Sequence, residues 1–440
     1  MKIKSLKFWQ WETLLVTMAG YAAYYIVRKN LSLALPLISD EFGISKVQLG
    51  AFLTAHGLIY GLARFTNGVL TDRNSARKVM SCGLFACAMI NILFGCSDKI
   101  AQCLAKIASG GAVAQSTLWL VWTMGIIWVI NGYFQGMGVG PCVKTIPRWF
   151  RKEELATKQS IWNLSHSIGA GAVFALLGWY VIPTFNAWRL CFIIPGLIAL
   201  VGAIGIWFAM KDDPSEVGLA GELGDRSLPN GKTAEPATAA FIREHVLMNP
   251  YIWILAVANF FMNTIRFAAL DWGPMLLVES KGLNLAAATS LCFTFEIVGG
   301  NLGMVVSGWL SDHVFASRTH RTCAVSFVGV AIASGCFWLT PASAPLIVKL
   351  LGFAAIGFFL YGPQALLGVA STQQATSKAA GSANGILGIA GYLSTVLSGV
   401  GFGFMADKWG WESVYLVMVI AALAGGFMVA LMWKKGIEND

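Results

Sequence analysis

Residues 20–36 read GYAAYYIVRKNLSLALP. Apolar sequence continues on both sides, from Trp11 to Val27 and from Leu31 to Ile38, enough for a membrane-crossing helix. Yet Arg28 and Lys29 stand side by side within it. A charge inside a bilayer span costs roughly 3 kcal/mol on insertion scales and is retained where it serves an ion or substrate path. Tyr21, Tyr24 and Tyr25 occupy the preceding turns and can offer hydroxyls to the same cavity. The stretch reads as a membrane helix carrying one half of an anion site. A second such helix is expected to oppose it.

Composition agrees with a membrane-embedded chain. Of 440 residues, 56% are hydrophobic and 12% charged, whereas soluble proteins carry about 25% charge. The expected fold class is therefore an all-α integral membrane protein. The 48 glycines suit close helix packing where no hydrophobic force draws helices together in lipid. Net charge is +9, but the basic residues sit in short loops, which excludes nucleic acid as a partner. The nine cysteines are scattered and form no CxxC pair, so neither a metal site nor a disulfide framework is expected. The N-terminal MKIKSLKFWQW reads as a basic anchor with an aromatic edge, and no signal-cleavage pattern follows it. No cofactor is expected, and no GxxxxGK[ST] motif points to ATP-driven pumping.

About twelve helices are expected, over 12–37, 49–70, 79–97, 117–141, 156–180, 188–210, 251–278, 286–310, 323–341, 346–371, 379–405 and 412–433. The long polar segment 211–249 separates two six-helix halves, so residues 1–210 and 250–440 are expected to be two bundles joined by a linker. With the N-terminus inside, the inner loops and linker hold about nineteen Lys and Arg residues, while the outer loops hold little beyond Lys46, Lys99, Lys106, Lys281 and Lys408. That bias places both termini in the cytoplasm.

The halves repeat. Arg28 lies eight residues before Pro36, and Arg266 eight before Pro274. Gly68 to Asp72 (GVLTD) follows the second helix, and Gly308 to Asp312 (GWLSD) follows the eighth. Gly140-Pro141 and Gly362-Pro363 mark the fourth and tenth. Such duplication places a site near the midplane where the halves meet. Asp72, Arg73 and Arg77, with Asp312 in the other half, are candidates for charge networks that hold one conformation and break as the halves rock. The plain alternative is a basic loop that only sets topology.

Arg28 and Arg266 are the leading candidates for phosphate binding, because a guanidinium presents paired N–H donors to an oxyanion. The alternative is a structural arginine paired with Glu296 or Asp271, which are also the candidates for charge compensation. His166 lies in IWNLSHSIGAG beside Trp162, Asn163 and Ser165. It is either a hydrogen-bonded span residue or one that matches the charge of a titrating phosphate. Arg64 is either a third internal cation or a residue snorkelling to the interface. Tyr25, Tyr60, Tyr361 and Tyr392 suit a phosphate or sugar, and each could equally be a packing residue. His56 reads as packing; His245, His313 and His320 read as solvated loop residues. His166, Glu296 and Asp271 fall in different helices without a nucleophile or metal constellation, so an enzyme is not expected.

GYAAYYIVRKN, FQGMGVGP, IWNLSHSIG, IRFAALDWGP, FEIVGG with GWLSD, and YGPQALLGVA with GYL occur in this order along nearly the whole chain. As a set they resemble the organophosphate:phosphate antiporter family of the major facilitator superfamily. The resemblance implies the major facilitator fold and exchange of an organic phosphate for inorganic phosphate by alternating access. It implies that Arg28 and Arg266 hold the phosphoryl group and that His166 responds as substrate binds. It further implies that Tyr25, Tyr60, Tyr361 and Tyr392 line the cavity, and that Lys29 and Arg64 match further cationic positions. Asp271–Pro274, Phe295–Gly300 and Tyr361–Gln364 look more like hexose phosphate carriers and the related glucose 6-phosphate sensor. Phe134–Pro141 is similar to phosphoglycerate carriers. Asn384 and Leu387 depart from one hexose phosphate pattern, which has an Asp and a Lys there. Hexose 6-phosphate is the expected substrate. A sugar-phosphate sensor, or a carrier for glycerol 3-phosphate or phosphoglycerate, stays open. The family look and the absence of a retrieval signal favour a bacterial inner membrane, with a monomer expected and the lipid bilayer as the surrounding partner.

Overall fold

The structure is a computed structural model that describes residues 5–108, 116–219 and 238–436. All regular structure among them is helical. The order is α1 (Leu6–Phe42), α2 (Lys46–Arg73), α3 (Ala76–Gly95), α4 (Ser97–Ala108), α5 (Ser116–Gln135), α6 (Val139–Trp149), α7 (Lys152–Ala175), α8 (Ile182–Phe185), α9 (Leu190–Ala209), α10 (Ala239–Ile242), α11 (Pro250–Leu270), α12 (Gly273–Lys281), α13 (Leu285–Phe293), α14 (Asn301–His313), α15 (Thr319–Leu339), α16 (Leu346–Val396), α17 (Phe402–Trp409) and α18 (Trp411–Ala430). Wide-turn π segments at Leu176–Val181, Thr294–Gly300 and Leu397–Gly401 join α7 to α8, α13 to α14 and α16 to α17. Ten helical stretches among the described residues are long and apolar enough to cross a membrane. α1 and α2, at 37 and 28 residues, are longer than a span requires; they are less apolar because they carry Arg28, Lys29, His56 and Arg64.

The chain divides into two compact units: residues 1–44 with 55–229, and residues 45–54 with 230–440. In the first, α1 packs on α7 and α9, and α3 on α9 and α5. A Cβ at Gly169 would meet the Ala22 carbonyl, so only glycine lets α7 approach α1 this closely. In the second, α11 packs on α16 and α18, and α15 on α16 and α18. The start of α2 belongs to this unit: Lys46 pairs with Glu279 at 3.1 Å and Asp407 at 3.6 Å.

Several expectations need correction. After Gly95 the chain does not enter a loop but forms α4, which carries Lys99 and Lys106. Asp98 in its first turn and Lys106 in its last complement the helix dipole. The expected break near residues 372–378 is helical, and α16 runs 51 residues. It must still fold back, since Asn384 reaches Ser371 at 3.2 Å and Thr372 at 3.2 Å, which a straight helix forbids. His320 is not a solvated loop residue; it is buried in the first turn of α15. Lys281, expected in an outer loop, is buried and donates to the Trp338 and Thr340 carbonyls at 2.8 Å each, closing the end of α15. Of the expected linker, residues 220–237 lie outside the described ones.

Candidate functional site

In the first unit the candidate residues lie beside a break in α1. Val27 has non-helical φ −92° and ψ 15°, which releases its carbonyl from the helical ladder. Three side-chain amides take that carbonyl: Asn91 at 3.1 Å, Asn131 at 3.3 Å and Gln135 at 3.4 Å. Gln135 also donates to the Tyr24 carbonyl at 3.1 Å, and Asn30 donates to Asn91 at 2.8 Å. A buried amide network drawn from α1, α3 and α5 thus fixes the backbone next to Arg28. None of these amides carries a sequence signal, because an isolated Asn or Gln in an apolar helix reads as packing.

Arg28 is half-buried. Its guanidinium lies 4.0 Å from the Tyr60 ring centre and 5.6 Å from that of Tyr25. Tyr25 meets His166 edge-on at 5.7 Å. Tyr21 packs edge-on to Tyr25 at 5.4 Å and stacks on Trp162 at 4.9 Å. Ser167 Oγ lies 3.2 Å from His166 Nδ1. Tyr60 stacks on His56, whose Nδ1 faces the Trp128 carbonyl at 3.2 Å. The structure therefore cages Arg28 between Tyr25 and Tyr60, with His166 behind Tyr25 and Trp162 behind Tyr21. Lys29, next in sequence, is buried, and Arg64 is exposed. Ring stacking engages the face of a guanidinium, whereas oxyanions are met by its in-plane N–H fork, so the cage is compatible with phosphate binding.

In the second unit Arg266 sits in the last two turns of α11, buried. Its Nη2 lies 3.9 Å from Glu296 Oε1, and its guanidinium 5.6 Å from the Tyr361 ring centre. Tyr361 donates its hydroxyl to the other Glu296 oxygen. Glu296 has 0% exposure and lies in the π segment Thr294–Gly300. Such segments widen a helix by one residue and are frequent at functional sites. A Cβ at Gly299 would meet the Ala354 carbonyl and one at Gly303 the Phe358 carbonyl. These glycines let the segment pack backbone to backbone against α16 and bring Glu296 to Tyr361. Asp271 is half-buried at the end of α11, its N–H on the Phe267 carbonyl at 2.9 Å. Tyr392 is half-buried on α16. Asn384 hydrogen-bonds within α16, and the Leu387 carbonyl accepts from Asn259 at 2.7 Å.

The loop residues are arranged differently from expectation. Asp72 and Arg73 are exposed, and the ion pair of Arg77 is with Glu216 at 4.0 Å, its backbone N–H donating to Asp212 at 2.7 Å. Lys144 binds the α2 end instead, reaching the carbonyls of Thr71 at 2.7 Å and Asn74 at 2.8 Å. Asp312 is exposed and accepts from Ser317 at 3.3 Å.

A sequence model of the Major Facilitator Superfamily matches residues 17–399. The chain is 33% identical over 424 residues to the glycerol-3-phosphate transporter of Bacillus subtilis (strain 168), covering 95% of this chain and 90% of that one. It is 30% identical over 421 residues to the membrane sensor protein UhpC of Escherichia coli (strain K12), covering 94% and 90%. It is 29% identical over 450 residues to a protein of Chlamydia pneumoniae named "Probable hexose phosphate transport protein", covering 99% and 94%. Among solved structures, a bacterial homologue of the human lysosomal transporter Spinster superposes with a TM-score of 0.76 at 16% identity, over 98% of this chain and 99% of that one. The xylose transporter XylE of E. coli gives 0.71 at 14%, over 98% and 97%. At these identities the structural likeness concerns the fold.

Proposed function

The chain belongs to the major facilitator superfamily, in its organophosphate:phosphate antiporter branch, and from that premise we propose that it exchanges hexose 6-phosphate for inorganic phosphate by alternating access. The observation that carries this reading is a membrane-embedded arginine in each half, Arg28 and Arg266, each set against tyrosine rings. Arg28 and Arg266 supply charge for the phosphoryl group, and His166 responds to its titration. Tyr25, Tyr60, Trp162, Tyr361 and Tyr392, with Lys29 and Arg64, line the path. Glu296, with Asp271, compensates charge when no phosphate is bound. The bundles 1–210 and 250–440 move about the 211–249 linker, with both termini on the cytoplasmic side of a bacterial inner membrane.

Exchange follows from the cost of moving unpaired charge through a low-dielectric interior. A phosphate neutralises the arginines and lets the loaded carrier cross, while the empty one stays. The relatives named for glycerol 3-phosphate transport and for sensing define the competing outcomes. Purified protein in liposomes loaded with inorganic phosphate is given radiolabelled phosphate outside, with unlabelled competitors. We expect exchange, inhibited more by glucose 6-phosphate than by glycerol 3-phosphate or 3-phosphoglycerate. Stronger inhibition by either of the latter reassigns the substrate, and phosphate binding without any exchange makes the protein a sensor.

A further inference from the structure

Each unit carries an apolar groove between two of its helices. The first, of about 250 Å³, runs between α3 and α9 and is lined by Ser81, Cys82 and Phe85 from one and by Ala203, Ile204 and Trp207 from the other. The second, of about 320 Å³, runs between α15 and α18 and is lined by Ala324, Val325 and Val328 and by Gly426, Phe427 and Ala430. In both, each helix contributes positions i, i+1 and i+4; Phe208 of α9 adds to the first groove, and Trp433, just past the end of α18, adds to the second. The duplicated halves have therefore made the same trough twice. Small residues form its floor, and large apolar side chains stand exposed along it, Phe85 at 50% and Phe427 at 65%. On a membrane-spanning chain such a surface meets acyl chains.

Charge at the groove ends sets these troughs apart from plain lipid-facing surface. Lys78 stands four residues before Cys82, and Arg321 four before Val325; Lys211 stands four after Trp207, and Lys434 four after Ala430. Lys78 and Arg321 fall in the first turns of α3 and α15, while Lys211 and Lys434 follow the ends of α9 and α18. Cations thus recur at matching places on both walls in both halves, at helix ends that the charge bias assigns to the cytoplasmic face. Arg321 is held there by Trp433: its Nε donates to the Trp433 carbonyl at 2.9 Å, and its guanidinium lies 5.4 Å from the ring centre. Phe315 packs edge-on to the same indole at 6.0 Å. Aromatic rings of this kind mark the membrane–water boundary.

We propose that each groove binds one anionic phospholipid. An acyl chain lies in the trough, and the headgroup phosphate is held by Lys78 with Lys211 in the first unit and by Arg321 with Lys434 in the second. The apolar walls take any chain; the cation pair selects the negative headgroup over a zwitterionic one.

Native mass spectrometry of the full-length chain in detergent tests this. Added phosphatidylglycerol should be retained as two adducts, and phosphatidylcholine with the same chains should not. K78Q/K211Q and R321Q/K434Q should each remove one phosphatidylglycerol adduct, with affinity falling about fivefold per cation lost. Ala430→Trp fills the second trough without touching a charge and should also remove one, which separates lipid loss from any disturbance of Trp433 by the arginine variant. Excess inorganic phosphate should leave both adducts in place. Equal retention of the two lipids, two adducts on the fourfold charge variant, or displacement by phosphate would each overturn the proposal.

Discussion

A carboxylate sealed from solvent, as Glu296 is, persists only when its oxygens are met by donors or cations. Tyr361 meets one oxygen and Arg266 faces the other at 3.9 Å. Tyr361→Phe keeps the ring beside Arg266 and deletes only the hydroxyl. It should cost about 1–3 kcal/mol of stability, the usual penalty for orphaning a buried acceptor, read as a lower melting temperature of the purified protein. A melting point equal to wild type would mean that Glu296 is satisfied by other groups. Arg28 is set differently, with its guanidinium against the rings of Tyr25 and Tyr60. Arg28→Lys keeps the charge but replaces a planar fork with a point donor. Loss of one charge-assisted bond, about 1.5–3 kcal/mol, should weaken phosphate binding roughly ten- to hundredfold; unchanged phosphate affinity would remove Arg28 from the site. Outside the spans, Arg189 ties Asp98 at 2.7 Å and Glu41 at 2.8 Å. Burial works against its charge, and the two carboxylates outweigh that, so its proton is held more tightly than usual.

Elements place these residues through backbone features that hydropathy only partly reveals. Arg28 and Arg266 match in their distance to a proline, yet the two helices break differently. α1 departs from helical geometry at Val27, just before its arginine, and continues through Pro36; the counterpart stops at Leu270 and resumes at Gly273. The amides on Val27 account for the first break. Asn91→Ala should remove donors to Val27, Cys87 and the link to Asn30, lowering stability by about 1–3 kcal/mol. Because the kink borders Arg28, phosphate affinity should fall with it, and binding assays on the folded variant check this. At Gly303 the constraint is steric: a Cβ would fall on the Phe358 carbonyl. Backbone cannot swing aside as a flexible side chain can, so Gly303→Val should cost more than the 1–3 kcal/mol typical of overpacking, visible as a large loss of folded protein. The aromatic and charged candidates could be picked out from the chain, because an ionisable residue in an apolar run is costly and is retained where it serves an ion or substrate path. The amides could not, since a polar residue that satisfies a carbonyl leaves no periodic trace. Nor could α4, which is too short and too charged to register as a span and whose Asp98 meets Arg189 from far along the chain. His320 misled for the opposite reason: its Arg-rich neighbourhood reads as loop, while α15 already begins at Thr319.

At the scale of the molecule, duplication was the most readable property, because three markers recur in one order along the two halves. What a linear pattern cannot encode is which helices pair inside a half, and the two troughs between α3 and α9 and between α15 and α18 became visible only once those neighbours were known. Orientation, in contrast, rests on charge alone. About nineteen basic residues fall on the side assigned to the cytoplasm, against about five on the other, to which Arg189 beside Asp98 adds a sixth. Each inner cation near a span end opposes translocation, and short loops weigh most heavily. Arg73 at the end of α2, Arg77 and Lys78 in the first turn of α3, and Arg318 and Arg321 at the start of α15 therefore carry more weight than the long 211–249 segment. A protease site inserted after Asn230 should be cut in inside-out vesicles and protected in right-side-out ones. Replacing Arg73, Arg77 and Lys78 with glutamine should then leave that pattern unchanged, because the later loops and the C-terminal Lys434 and Lys435 still hold the bias. Cleavage from the outside in the parent protein would invert the assignment, and with it the leaflet from which the lipid sites draw.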